Sequence, residues 1–139
     1  MKSIITLVRI KKREMDALKR QQAVLERQRD DVVGGIARLA TQLEQEMKLA
    51  EEMPEMGHFF GDFSLAIKKR QEVMRLHVRR LEAELDKLAD QLRERFSELK
   101  KYEITLANWE RKRDMALAHR AQQEMDEIGI RGYVRRHEA

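Results

Sequence analysis

Residues 67–109 carry the feature that most restricts how this chain can fold. Positions spaced alternately by four and three residues run Ile67, Gln71, Met74, Val78, Leu81, Leu85, Leu88, Leu92, Arg95, Leu99, Tyr102, Leu106 and Trp109, and only Gln71 and Arg95 among them are polar. The residues between are mostly Arg, Lys, Glu and Asp. Six heptads of this spacing make a helix with a narrow apolar stripe, too thin to enclose a globular core and too long to stand alone in water. The stripe therefore requires a second helix beside it.

The first part of the chain supplies a matching stripe. Ile4, Val8, Lys11, Met15, Leu18, Gln22, Leu25, Arg29, Val32, Ile36, Leu39, Leu43, Glu46 and Ala50 follow the same alternation, and ten of these fourteen are apolar. Gly34 and Gly35 fall inside it and cost about 1 kcal/mol each relative to alanine, which flanking turns of good helix formers should carry. The strong break lies at residues 53–62, where Pro54 restrains Met53 to extended backbone, Gly57 and Gly61 punctuate the segment, and Asp62 can cap a following helix.

These signals predict an all-α, single-domain fold, a long antiparallel two-helix coiled-coil hairpin. Its first helix covers about 3–52, its connection about 53–62 and its second helix about 63–127, with an irregular basic tail over 128–139 containing Gly129 and Gly132. Folding about Gly57 would set Ile36 level with Val78, Leu25 with Leu88, Met15 with Leu99 and Ile4 with Trp109. About 30 residues beyond Trp109 would then have no partner in the hairpin, leaving an overhanging C-terminal helix that either frays, pairs between chains or enters another protein.

Composition narrows the function. Charged residues make up 39% of the 139, with one proline and no cysteine, which suits a coil whose outer heptad positions are charged and excludes disulfides and Cys-based metal sites. No apolar run reaches membrane-spanning length, and the short one at the start is interrupted too soon for a secretory signal, so a cytoplasmic protein without membrane insertion is expected. Net charge is +4 but unevenly placed: residues 1–30 hold nine Lys and Arg against four Asp and Glu, residues 31–57 two against six, and residues 111–139 seven against five. Basic termini around an acidic middle bias which partner meets which end.

Catalytic chemistry has no visible support, and neither a cofactor nor a metal is expected. His58, His77, His119 and His137 are scattered without ligand spacing, and no phosphate loop or nucleophile elbow occurs. The carboxylates alternate with Lys and Arg at helix-surface spacing, where i to i+4 pairing accounts for them. A nucleic-acid binder is the more serious rival, given Arg9, Lys11, Lys12, Arg13, Lys19, Arg20, Arg27 and Arg29. That tract is, however, striped with Val8, Met15, Leu18 and Leu25 and interrupted by Glu14, Asp16 and Glu26, and it lacks aromatic residues for base stacking. No nucleic-acid partner is expected. Around the connection, Met53, Met56, Phe59, Phe60 and Phe63 either close the end of the coil over Ala50 and Ile67 or offer an adaptable apolar patch to a partner.

Three short elements resemble the flagellar type III export proteins of the FliJ family: the opening Met1, Lys2, Ser3, Ile4, Ile5; the run Lys100, Lys101, Tyr102, Glu103 late in the second helix; and Gln123, Glu124, Met125, Asp126, Glu127, Ile128, Gly129, Ile130, Arg131 near the C-terminus. Length and the two-helix layout agree over the whole chain. The resemblance implies a non-catalytic antiparallel coiled coil, like the central stalk of rotary ATPases. Its paired terminal ends would enter the hexameric export ATPase, and its hairpin would engage the cytoplasmic ring of the export gate and export chaperones. Such a protein works in the cytoplasm, peripherally associated with the inner membrane at the flagellar base. By pattern, Arg111, Arg113, Arg120, Met125, Asp126, Glu127, Ile128 and Arg131 are candidates for the ATPase end. Leu39, Leu43, Met47, Ala66, Arg70, Val73 and His77 are candidates for the gate face, with Arg70 standing where the family has an apolar residue. A generic coiled-coil scaffold remains the reading without the resemblance.

Overall fold

In a computed structural model, which describes residues 2–137, the chain is an all-α helical hairpin. Helix α1 spans Lys2–Glu52, a single 3₁₀ turn spans Pro54–Met56, and helix α2 spans Gly57–His137. Met53 is the one described residue outside a helix.

The reversal is tighter than the 53–62 connection expected from glycine and proline spacing. Pro54 alone ends α1, because its ring forces Met53 out of the helical region to φ −127°, ψ 83°. Met53 still donates its N–H to the Leu49 carbonyl at 3.0 Å, Met56 donates to Met53 at 2.9 Å, and the Gly57 N–H reaches the Pro54 carbonyl. These bonds satisfy backbone groups that a helix end otherwise leaves unpaired. Gly57 has ordinary right-handed helical angles, φ −58°, ψ −35°, so α2 begins there and absorbs Gly61 and Asp62 as interior residues. Asp62 is thus not the cap; its carboxylate lies 3.9 Å from the His58 ring, one turn back.

The tail expected to be irregular over 128–139 is instead helical as far as His137. Each glycine there costs roughly 1 kcal/mol, but the last turn carries Arg135, Arg136 and His137, which complement the negative end of the helix dipole. Arg136 Nε donates to the Gly132 carbonyl at 3.2 Å, His137 Nδ1 lies 2.9 Å from the Tyr133 carbonyl, and the His137 ring stacks on Tyr133 at 4.0 Å between centroids. These side-chain contacts fold the last turn's residues back onto the preceding turn, beside carbonyls that already hold their helical donors.

The hairpin divides into two compact parts. One comprises Glu14–Arg95 and contains the reversal. Its buried residues are stripe residues: Met15, Leu39, Ile67, Leu81, Leu85 and Leu88, with Gln71 among them at 7% exposure. The register is anchored by Gln71, whose Nε2 donates to the Ile36 carbonyl at 3.3 Å, and by Arg95, whose Nε lies 3.5 Å from Glu14 Oε2. Met74 Cε also sits within 2.6 Å of where a β-carbon on Gly35 would stand. Ile36 is therefore level with Met74, about a turn nearer the reversal than the Val78 expected from folding about Gly57.

The reason for the shift is visible in the steps. Going away from the reversal, α1 positions Ile36, Val32, Arg29, Leu25, Gln22, Leu18 and Met15 step by 4, 3, 4, 3, 4 and 3 residues. On α2, Met74, Val78, Leu81, Leu85, Leu88, Leu92 and Arg95 step by the same numbers in the same order. Pairing Ile36 with Val78 would set a step of three against a step of four at every layer. The observed register matches them, and interdigitation follows.

The second part brings α1 up to Arg13 together with α2 from Phe96 onward. Val8 and Leu99 are buried, and Lys11, a polar stripe position, reaches Glu98 at 2.8 Å. Lys12 approaches Glu103 at 4.0 Å. Ile4 is the last α1 stripe residue; beyond Leu106, α2 continues with no helix opposite it among the described residues.

Candidate partner-binding surfaces

The part of α2 past the end of the stripe is the first surface. Apart from Gly132, every described residue from 109 to 137 is exposed. Arg111, Arg113, Arg120, Met125, Asp126, Glu127, Ile128 and Arg131 all lie here, and helical spacing sorts them onto different faces. Arg113, Arg120, Glu127 and Arg131, separated by seven, seven and four residues, continue the line of the stripe as an ionic ridge. Met125 and Ile128 lie about a quarter turn away, on a row with Leu117 and Ala121, while Asp126 projects from the side opposite that row.

Leu117, Met125 and Ile128 are 53%, 66% and 64% exposed, an apolar row without cover. Sequence reasoning missed Leu117 and Ala121 as members; the signal was a restart of four-and-three spacing displaced from the main stripe.

Among the described residues, the charged groups of this segment are held by close neighbours along the helix. Arg113 lies over the Trp109 ring at 5.2 Å and reaches Asp114 at 3.5 Å; Arg111 donates to Asn108 at 3.3 Å; Arg131 lies 3.9 Å from Glu127. Such exposed pairs hold side chains weakly and leave them available to a partner. Trp109 itself is 37% exposed, half clear of the core position that its place in the stripe implied.

The second surface is the gate-face set. Ala66, Arg70, Val73 and His77 are all exposed and share one outward row of α2, next to exposed Leu65 and Leu76. The α1 members do not join them. Leu39 is buried, Leu43 is half-buried in the same inward stripe, and only Met47 is exposed. Leu39 shares its layer with Gln71, so it packs the seam and presents nothing to a partner. Its four-and-three spacing already placed it on the stripe.

The third surface is the reversal. Leu49, Met53, Met56, Phe59, Phe60 and Phe63 surround an open recess of about 520 Å³, with Glu46 and Ala50 completing its wall. Phe60 and Phe63 are half-buried, Phe59 is 65% exposed, and Met53 and Met56 are exposed as well. The two sequence-based alternatives therefore divide by residue. Phe60 and Phe63 help close the end of the coil above buried Ile67, while Phe59 and the methionines face outward.

His58, His77, His119 and His137 are exposed and far apart in sequence, and no group of three His, Cys, Asp or Glu side chains among the described residues could hold a metal ion. No described helix is long and apolar enough to cross a membrane. The chain matches no family model, no curated protein and no solved structure.

Proposed function

We propose that this protein is a non-catalytic stalk and adaptor of the flagellar type III export apparatus. In this role it inserts its C-terminal helix into the export ATPase hexamer and links that ATPase to the export gate and export chaperones. The observation that carries the reading is the continuation of α2 from Trp109 to His137 as an exposed helix with seven Lys and Arg side chains, projecting from an antiparallel pair. A stalk needs this combination. The paired region resists bending, and the unpaired end offers ionic and apolar rows to the walls of a ring. A basic end suits an acidic lumen, where charge orients entry and speeds encounter more than it adds affinity.

The resemblance of residues 123–131 to the family's C-terminal element supports the same assignment, since Met125, Ile128 and Arg131 all fall on the exposed part of α2. Gate contact is assigned to Ala66, Arg70, Val73, His77 and Met47, without the inward-facing stripe residues Leu39 and Leu43. The protein would act in the cytoplasm, peripherally at the inner membrane.

The test is stimulation of the export ATPase hexamer by wild-type protein and by a variant with Arg111, Lys112, Arg113, Arg120 and Arg131 replaced by Gln. The variant should stimulate less and lose most of the salt dependence. Unchanged stimulation, or capture of the wild-type protein by duplex DNA in preference to the ATPase, would overturn the proposal.

A further inference from the structure

We infer that the recess at the reversal is a docking groove for a basic amphipathic α-helix of another protein, with bulky apolar side chains seated among Met53, Met56 and Phe59. The inference is independent of the export reading. It rests on the recess and its charged surroundings.

The wall is apolar and adaptable. Leu49, Met53, Met56 and Phe59 are 51%, 51%, 44% and 65% exposed, a contiguous patch that a chain gains nothing by leaving in water. Methionine side chains reshape around whatever apolar group enters, which suits a helix-in-groove mode of recognition. The recess opens between the last turns of α1 and the first turns of α2, so a third helix laid across it would complete a three-helix end.

The rim selects the partner's charge. Residues 44–62 contain Glu44, Glu46, Glu51, Glu52, Glu55 and Asp62 against Lys48 as the single Lys or Arg, and every one of these is exposed. Glu46 lines the recess itself. Glu51, Glu52 and Glu55 have no basic side chain within 4.0 Å among the described residues, so their charge is not spent on internal pairs. Nucleic acid and anionic lipid surfaces are repelled by such a rim, and an acidic peptide likewise. A helix with Lys or Arg flanking an apolar face is attracted, and its apolar face finds the patch.

The experiment uses the full chain and two synthetic helical peptides with the same leucine pattern, one with Lys and one with Glu at all polar positions. Each carries a fluorophore and a photo-reactive diazirine. The Lys peptide should bind, cross-link within residues 46–63 and weaken with added salt; the Glu peptide should bind roughly tenfold more weakly or worse.

Replacing Met53 and Phe59 by Ser should weaken Lys-peptide binding by about tenfold or more while leaving the thermal midpoint near wild type, because both side chains are already exposed. A second variant, Glu51→Gln with Glu52→Gln and Glu55→Gln, keeps the apolar wall and should flatten the salt dependence. Four results would overturn the inference: equal affinity for the two peptides, cross-links confined to residues 109–137, binding indifferent to both variants, or a concentration-dependent dimer of this chain that buries Phe59.

Discussion

Replacing Gln71 by leucine should stabilise the hairpin and loosen its register at the same time. Gln71 is the polar residue of the buried set, 7% exposed, in the layer with Leu39, and its Nε2 donates to the Ile36 carbonyl at 3.3 Å. Losing that long, neutral hydrogen bond costs about 0.5–1.5 kcal/mol. The Ile36 carbonyl lies inside α1 and keeps its helical donor, so no acceptor is stranded. Burying a leucine there contributes about 1.5–3 kcal/mol, of which the glutamine methylenes already supply part. The net is a gain of about 1 kcal/mol, read as a rise of roughly 3–5 °C in the thermal midpoint by circular dichroism.

Specificity moves the other way. Registers that keep both stripes in step differ by a whole heptad, about 10 Å along the helix, and an all-apolar seam distinguishes them less well than one containing a polar residue with one good acceptor. Spin labels at exposed Thr41 and Glu72 should give one distance in the wild-type protein and a second population in Gln71→Leu. A variant at least 1 kcal/mol less stable than wild type would refute the balance of burial over hydrogen bonding. A single unbroadened distance would refute the role in register.

Leu88→Ala, at a position 5% exposed, should cost about 2–4 kcal/mol in urea denaturation, whereas Leu117→Ala, at 53%, should change stability by less than about 0.5 kcal/mol; similar costs would mean that residues 109–137 are packed. Gly34→Ala should stabilise by up to about 1 kcal/mol, since its β-carbon meets only the tip of Arg38 at 3.3 Å. Gly35→Ala should gain less, because Met74 Cε at 2.6 Å must move, and a double-mutant cycle with Met74→Leu should recover part of the difference. Gly129→Ala with Gly132→Ala should slow amide exchange in residues 125–137 and raise helicity without moving the main melting transition; a shifted transition would place that segment in the cooperative core.

Much of the fold was legible because two-stranded coils write their contacts into spacing. The burial of Leu81, Leu85, Leu88 and Leu99, and the half-burial of Tyr102 and Leu106, follow the four-and-three row read from the chain. The overhang was legible too, since one stripe simply runs out of partner. The extent of the terminal helix was not, because glycine propensity is a local signal and the bonds of Arg136 and His137 to preceding carbonyls depend on side-chain placement. Among the candidate surfaces, the exposure of Val73 and of Met125 and Ile128 could be anticipated from their distance from the stripe. The recess could not, because its wall is assembled from both sides of a reversal.

By itself, the sequence determined that two amphipathic helices of this chain must cover one another, since each exposes an apolar stripe that water penalises and neither can bury it alone. Only the tertiary structure decided where along its length each helix meets the other. Spacing makes the stripes face, but several offsets satisfy that demand equally. The choice came from Pro54 ending α1 abruptly, from steps of three and four that must coincide on both sides, and from Gln71 finding the Ile36 carbonyl. The stop at Pro54 and the steps are each local signals, but the offset they fix together is a constraint between residues far apart in the chain.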